Sequence, residues 1–187
     1  MKIVDCDYFV VGSGMSGLMT ALHLATAGRV VLATKQRLED CNTNFAQGGI
    51  CCVADPADTF AAHVQDTLIA GAGLCDEKVV RRIVSEAPAG IRDLIDCGVR
   101  FAKKEDGSWD LGREGGHSMR RIFHAGDITG QKCEAAMIRT TPSAATLHCY
   151  NRDFYFPVVK EDKDRPASWD GHVRDWADRE IEFDFSC

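Results

Sequence analysis

Gly12-Ser13-Gly14-Met15-Ser16-Gly17 sets three glycines at the Gly-x-Gly-x-x-Gly spacing that suits a pyrophosphate. Gly12 allows a sharp turn off a strand, Gly14 lets bare backbone approach the diphosphate, and Gly17 lets the next helix lie close to the strand. A helix starting there aims its N–H groups and its positive dipole end at the anion. A second stretch, Asn42-Thr43-Asn44-Phe45-Ala46-Gln47-Gly48-Gly49, is polar and ends in two glycines, where a bulky flat ligand can lie against main chain. The first motif alone also fits a glycine-rich turn with no ligand. Together, in this order, they point to a flavin, with both stretches embracing one coenzyme.

The elements around these motifs are of the required kind. Tyr8-Phe9-Val10-Val11 is a short apolar strand leading into the turn, and Met15 to Ala27 reads as a helix with Leu18, Ala21, Leu22 and Ala25 at helical spacing. Val30-Val31-Leu32-Ala33 is a second apolar run, expected parallel to the first in a right-handed βαβ unit. After the loop from Arg37 to Gly49, Ile50 to Val53 reads as a brief strand, and Asp55 with Pro56 as the N-cap and first residue of a helix through Phe60, Val64 and Leu68. Lys78 to Ser85 reads as another helix with Val79, Val80 and Ile83 as its apolar face. Pro88 is expected to interrupt or restart it before Ile91, Leu94 and Ile95. Phe101 to Leu111 reads as a hairpin about Asp106-Gly107, Arg113 to Ser118 as a polar loop, Ile122 to His124 as extended, and Asp127 to Gly130 as the turn into a last helix.

The chain of 187 residues is 45% hydrophobic, enough for one domain with a proper core. A net charge of −6 argues against nucleic acid as a partner. No apolar run approaches the roughly 20 residues that cross a bilayer, and the acidic residues near the N-terminus do not fit a signal peptide, so a soluble cytoplasmic protein is expected. Nine cysteines without a Cys-x-x-Cys spacing indicate neither a zinc site nor an iron–sulfur site, and no metal is expected. They read as small, mostly buried residues in a reducing compartment.

An NAD site of the usual kind wants an acid at the end of the second strand, and this chain has Thr34-Lys35. Lys35 can meet a phosphate or a hydroxyl there, or simply face solvent.

With these motifs in hand, the chain resembles the flavoprotein family of L-aspartate oxidase, succinate dehydrogenase and fumarate reductase, and within it the L-aspartate oxidase branch most. The resemblance covers about residues 5 to 139. It rests on Gly12 to Gly17, Thr34-Lys35, Asn42 to Ile50, Ala70-Gly71-Ala72-Gly73-Leu74-Cys75-Asp76, Arg113 to Ser118, and Arg121 through His124-Ala125 to Asp127-Ile128-Thr129-Gly130. It implies noncovalent FAD held by Ser13 to Ser16, by Lys35 and by Asn42 to Gly49. Membrane-associated relatives carry a histidine, bonded to the flavin, where this chain has Asn42, and an amide makes no such bond. The implied reaction is oxidation of L-aspartate to iminosuccinate, the first step of quinolinate and NAD synthesis, with oxygen or fumarate as acceptor and quinolinate synthase as a partner. Glu114 matches the glutamate the family uses near the substrate amino group, where a carboxylate selects an amino acid over succinate. The bland alternative for Glu114 is a loop salt bridge to Arg113 or Arg120. His117 and Arg121 lie close enough in sequence to bear on the same pocket, or to be structural.

The fold implied is α/β, an incomplete Rossmann-like FAD-binding domain over residues 1–139 with the capping domain absent. Residues 140–187 form an unassigned tail rich in Asp, Arg and aromatic residues. That departure is expected of a truncated or frameshifted product, or of a fragment whose tail is read from unrelated coding sequence, with compromised activity, an unpaired sheet edge and a tendency to aggregate or recruit a partner. The other readings are a soluble fumarate reductase or succinate dehydrogenase-like flavoprotein, and an inactive nucleotide-binding remnant.

Overall fold

In the computed structural model the backbone is described for residues 2–3, 6–34, 37–141, 146–149, 170–174 and 180–184, and side chains for 6–34 and 37–141. The chain divides into two units: residues 1–41 with 138–187, and residues 42–137.

In the first unit, Tyr8–Val11 and Val30–Thr34 pair in parallel, Tyr8 opposite Val30 and Val11 opposite Ala33. Met15–Leu24 forms the helix between them, with Leu18 and Ala21 buried. We call these β2, β3 and α1, after a two-residue strand Lys2–Ile3, β1. All five residues of β3 are buried, as expected of a continuous apolar run covered on both faces. The βαβ reading therefore holds, although α1 ends three residues before Ala27. Asp7 fastens the loop at the base of the unit: its carboxylate accepts from the Arg29 backbone N–H at 2.7 Å and from Arg29 Nε at 3.3 Å. The Arg29 bonds, backbone first, hold the Asp7 carboxyl below its ordinary value.

In the second unit, Asn42–Phe45 (α2) precedes Ile50–Cys51 (β4), which pairs antiparallel with Ile122–Phe123 (β5). Phe60–Ala70 (α3) and Glu77–Asp96 (α4) pack through Val64, Val80 and Val84, with Leu68 and Cys75 against them. Thr129–Thr140 (α5) follows, its residues as far as Met137 lying in this unit.

Three expectations fail here for physical reasons. Asp55 and Pro56 do not start a helix. Asp55 closes a separate turn by accepting from the Ala57 N–H at 2.8 Å, and Thr59 caps α3 by accepting from Ala62 N at 3.1 Å. Pro88 does not interrupt α4, which runs unbroken for 20 residues. Val80, Val84, Ile91 and Leu94 are buried on both sides of the proline. At about 1.5–3 kcal/mol each they outweigh the roughly 3 kcal/mol that an interior proline costs. That stripe also displaces the expected apolar face, because Val79 and Ile83 are exposed.

The motif Ala70 to Asp76 turns out to be a joint between helices. Ala72 and Gly73 take positive φ angles of 49° and 87°, and Asp76 caps α4 by accepting from Lys78 N and Val79 N. The hairpin about Asp106-Gly107 is present as one bridge, Lys103 opposite Trp109, rather than as full strands. Phe101 and Trp109 each pack edge-on against Phe123 at 5.4 Å, which seats the hairpin on β5.

Residues 146–149 (β6), beyond the region of resemblance, form a third parallel strand beside β3, with Val31 opposite Thr146 and Thr34 opposite Cys149. Asp170–Arg174 (β7) and Glu180–Asp184 (β8) pair antiparallel, and β8 pairs in parallel with β1.

Candidate functional site

The glycine turn is a close crossing of strand and helix that leaves main chain exposed at the helix start. Gly12 takes φ +103°, a left-handed angle that costs other residues strain, and its N–H donates to the Ala33 carbonyl at 2.8 Å. A Cβ on Gly17 would stand 1.9 Å from the Gly12 carbonyl oxygen, so no side chain fits where α1 crosses the turn. Gly14 caps α1 in extended conformation with no side-chain hydrogen bond. Ser13 is buried and its hydroxyl is engaged within the protein: Oγ donates to the Leu38 carbonyl at 3.0 Å and shares a 2.9 Å bond with Thr34 Oγ1. With its one proton on Leu38, Ser13 Oγ accepts from Thr34. Any contribution of Ser13 to a ligand is thus left to its main chain. Met15 and Ser16 open α1, and Lys35 lies outside the described residues.

The second stretch divides its glycines between two tasks. Gly49 serves packing, because a Cβ there would meet Ile122 Cγ2 at 2.3 Å and the Phe123 oxygen at 2.4 Å across β4 and β5. Gly48 has room, and the nearest atoms to a Cβ there are Glu114 Oε1 at 3.6 Å and Oε2 at 4.0 Å. Asn42 is exposed at the start of α2, Thr43 and Asn44 are half-buried, and Phe45 is 70% exposed. The stretch is held from behind. Gly130 N donates to the Ala46 carbonyl at 2.9 Å, and a Cβ on Gly130 would stand 1.9 Å from the Thr43 oxygen. That contact gives Asp127-Ile128-Thr129-Gly130 its purpose: it seats the Asn42–Gln47 backbone.

Glu114 makes no side-chain hydrogen bond or ion pair among the described residues. The salt-bridge alternative for Glu114 is absent there: Arg113 Nε donates instead to the His117 carbonyl at 3.1 Å, and Arg120 Nη1 to the Leu111 carbonyl at 3.2 Å.

Arg121 is fully buried and belongs to an ion network. Its Nε and Nη2 each donate to Asp58 at 2.8 Å, and its Nη1 to Asp66 Oδ2 at 2.6 Å. Burial opposes its charge, and the bonds from Asp58 and Asp66 overcome that, so its pKa is raised. Asp66 Oδ2 also accepts from Ser118 N at 2.8 Å and Ser118 Oγ at 2.7 Å. The Ser118 backbone bond and the Ser118 and Arg121 side chains bring the Asp66 carboxyl down to about 2. His63 is buried beside this network, its ring 5.7 Å from that of His117, with no partner on Nδ1. Burial, then the charges of Arg121 and His117, lower its pKa. Arg121 is thus structural, and His117 closes its own loop. Sequence reasoning passed over Asp58, His63 and Asp66. Only the i, i+3 spacing of His63 and Asp66 puts them on one face of α3, and nothing in sequence ties that face to Arg121.

Among the described residues no helix is long and apolar enough to cross a membrane, and no cluster of His, Cys, Asp or Glu could hold a metal. The seven described cysteines form no disulfide with one another; burial pushes Cys52 and Cys133 up to about 11, which keeps them as neutral packing groups.

These residues fit FAD. Within the first unit the turn offers a side-chain-free helix start of the kind a diphosphate needs, and within the second Gly48 offers bare backbone with room above it.

Comparison with known proteins agrees. The chain is 45% identical over 148 residues to L-aspartate oxidase 2-a, chloroplastic, of Nicotiana tabacum, covering 79% of this chain and 23% of the relative. It is 47% identical to the L-aspartate oxidase of Streptomyces coelicolor, covering 91% and 30%. Among solved structures, E. coli quinol fumarate reductase FrdA superposes with a TM-score of 0.80 at 25% identity, covering 98% of this chain and 32% of that one. The chain spans less than a third of the length of these relatives. Residues 7–162 match the FAD binding domain family, well beyond half of the sequence. The chain is a member of that FAD-binding family.

Proposed function

We propose that this chain is the FAD-binding portion of an L-aspartate oxidase, which oxidises L-aspartate to iminosuccinate at the head of quinolinate and NAD synthesis. The observation that carries the reading is the uncommitted Glu114 carboxylate beside the bare Gly48 backbone. An anion with no partner among the described residues, next to the stretch proposed to meet a flavin ring, suits the ammonium of an amino acid. It disfavours succinate, which offers no cation there.

Bound FAD supplies the hydride acceptor. Gly12 to Gly17, with Lys35, holds the diphosphate and ribose side; Asn42 to Gly49 holds the ring. Asn42, an amide, leaves the cofactor noncovalent. Glu114 holds the substrate ammonium and so orients its α-carbon. Oxygen or fumarate is the final acceptor, quinolinate synthase receives the product, and the protein acts in the cytoplasm.

The test is anaerobic addition of L-aspartate or succinate to the FAD-loaded chain. Flavin bleaching or spectral perturbation by L-aspartate at concentrations where succinate is silent is the expected result. Response to succinate alone supports the second reading, a soluble fumarate reductase or succinate dehydrogenase-like flavoprotein, which the FrdA likeness favours.

A further inference from the structure

The loop that carries Glu114 has little stiffness of its own. Gly115 and Gly116 follow directly, and Gly116 takes φ +83°. What fixes it are bonds at its far end. His117 N donates to the Glu114 carbonyl at 3.2 Å, Arg113 Nε to the His117 carbonyl at 3.1 Å, and Ser118 donates twice to Asp66 Oδ2. Asp66 belongs to α3, so the loop is pinned to a helix rather than to another loop. Asp66 is in turn held by Arg121, whose other edge is locked on Asp58.

We propose that Asp66, acting through Ser118, is the positioning residue that sets the Glu114 carboxylate beside Gly48, and thereby sets the preference for an amino-acid substrate over its deaminated analogue. The proposal rests on the function proposed above for what Glu114 meets. The pinning itself stands on the hydrogen bonds. One carboxylate oxygen accepts three donors, two of them from the loop, and hydrogen bonds to an ionised acceptor are the strong kind. Losing them frees a glycine-bearing segment whose charged residue must otherwise be ordered by the substrate at an entropic cost.

Asp66→Ala and the milder Ser118→Ala separate positioning from folding, because Arg121 keeps both bonds to Asp58 in each. In the chain without cofactor, hydrogen exchange of residues 114–118 is expected to quicken about tenfold in Asp66→Ala. A smaller rise is expected in Ser118→Ala, which retains the backbone bond. Asp66→Asn, which keeps an acceptor oxygen, is expected to restore part of the protection. In the FAD-loaded chain, the ratio of L-aspartate to succinate affinity is expected to fall about tenfold in Asp66→Ala, with FAD affinity unchanged. Unchanged exchange overturns the proposal, and so does faster exchange with an undiminished ratio. A wild-type chain with no preference for L-aspartate counts against the proposed function, and exchange of 114–118 then decides the positioning by itself. If Asp66→Ala does not fold, Ser118→Ala carries both measurements.

Discussion

Arg121 and Asp58 are joined by two hydrogen bonds of 2.8 Å, one from Nε and one from Nη2, with both side chains fully out of solvent. The fork ties the segment ahead of α3 to β5, elements far apart in sequence. A buried pair of this kind is costly to assemble and more costly to break, because removal of one partner strands the other charge.

Asp58→Ala is therefore expected to destabilise the chain by about 3–5 kcal/mol, read as a lower urea midpoint at unchanged slope. Arg121→Leu is expected to be similarly severe, because it leaves Asp58 buried and unpaired. Combining the two should cost less than the sum of the singles. Strict additivity would show that the pair is not coupled.

Two pH windows follow from the same network. His63 has its pKa lowered from 6.5 by burial, then by the charges of Arg121 and His117. Below 6.5 the unfolded chain takes up this proton first, so stability falls as pH drops from there. Asp66 is brought from 3.8 to about 2, so its contribution is complete above 3.8 and is lost as pH falls toward 2. Urea titrations across pH should show both declines. His63→Gln should flatten the upper one, and Asp66→Asn should abolish the lower one while deepening the upper, because the Asp66 charge holds the His63 pKa up.

Gly17→Ala tests the cradle. Its Cβ would need the place of the Gly12 carbonyl oxygen, 1.9 Å away, so turn and helix must part. FAD affinity should weaken by about tenfold or more, because the anion loses its aligned helix start. Flavin fluorescence titration reads this, and an unchanged affinity would remove the turn from the site.

Acid precipitation of the FAD-loaded chain should leave the yellow colour in the supernatant, in keeping with Asn42. Colour that pellets with the protein would contradict the noncovalent assignment.

The strand–turn–helix of the first unit was legible in the sequence because its signals are local: an apolar run, three spaced glycines and a helical stripe. Glu114 and the Asn42–Gly49 stretch were singled out through their motifs, and the structure brings Glu114 to within 4 Å of where a Cβ on Gly48 would stand. The Pro88 break was misread because proline is a local signal, and the stripe that overrides it depends on α3 packing against Val80 and Val84. Asp55 was misread as a helix cap because a turn cap and a helix cap look alike until Thr59 is seen to take the helix. Asp58, His63 and Asp66 were invisible because their meaning comes from Arg121, which reaches them only through the fold. The strand at residues 146–149 was hidden in a polar, aromatic tail, where pairing with β3 rather than composition supplies the order.

Gly130 has a bearing on biosynthesis. Ala46 and Thr43 lean on a residue that the ribosome delivers long after them, so the Asn42–Gln47 backbone lacks its support while the chain is emerging. A nascent chain stalled before α5 begins to form would have its strand–turn–helix complete but the Asn42–Gln47 backbone unsupported, so that stretch is expected to become ordered only late in translation.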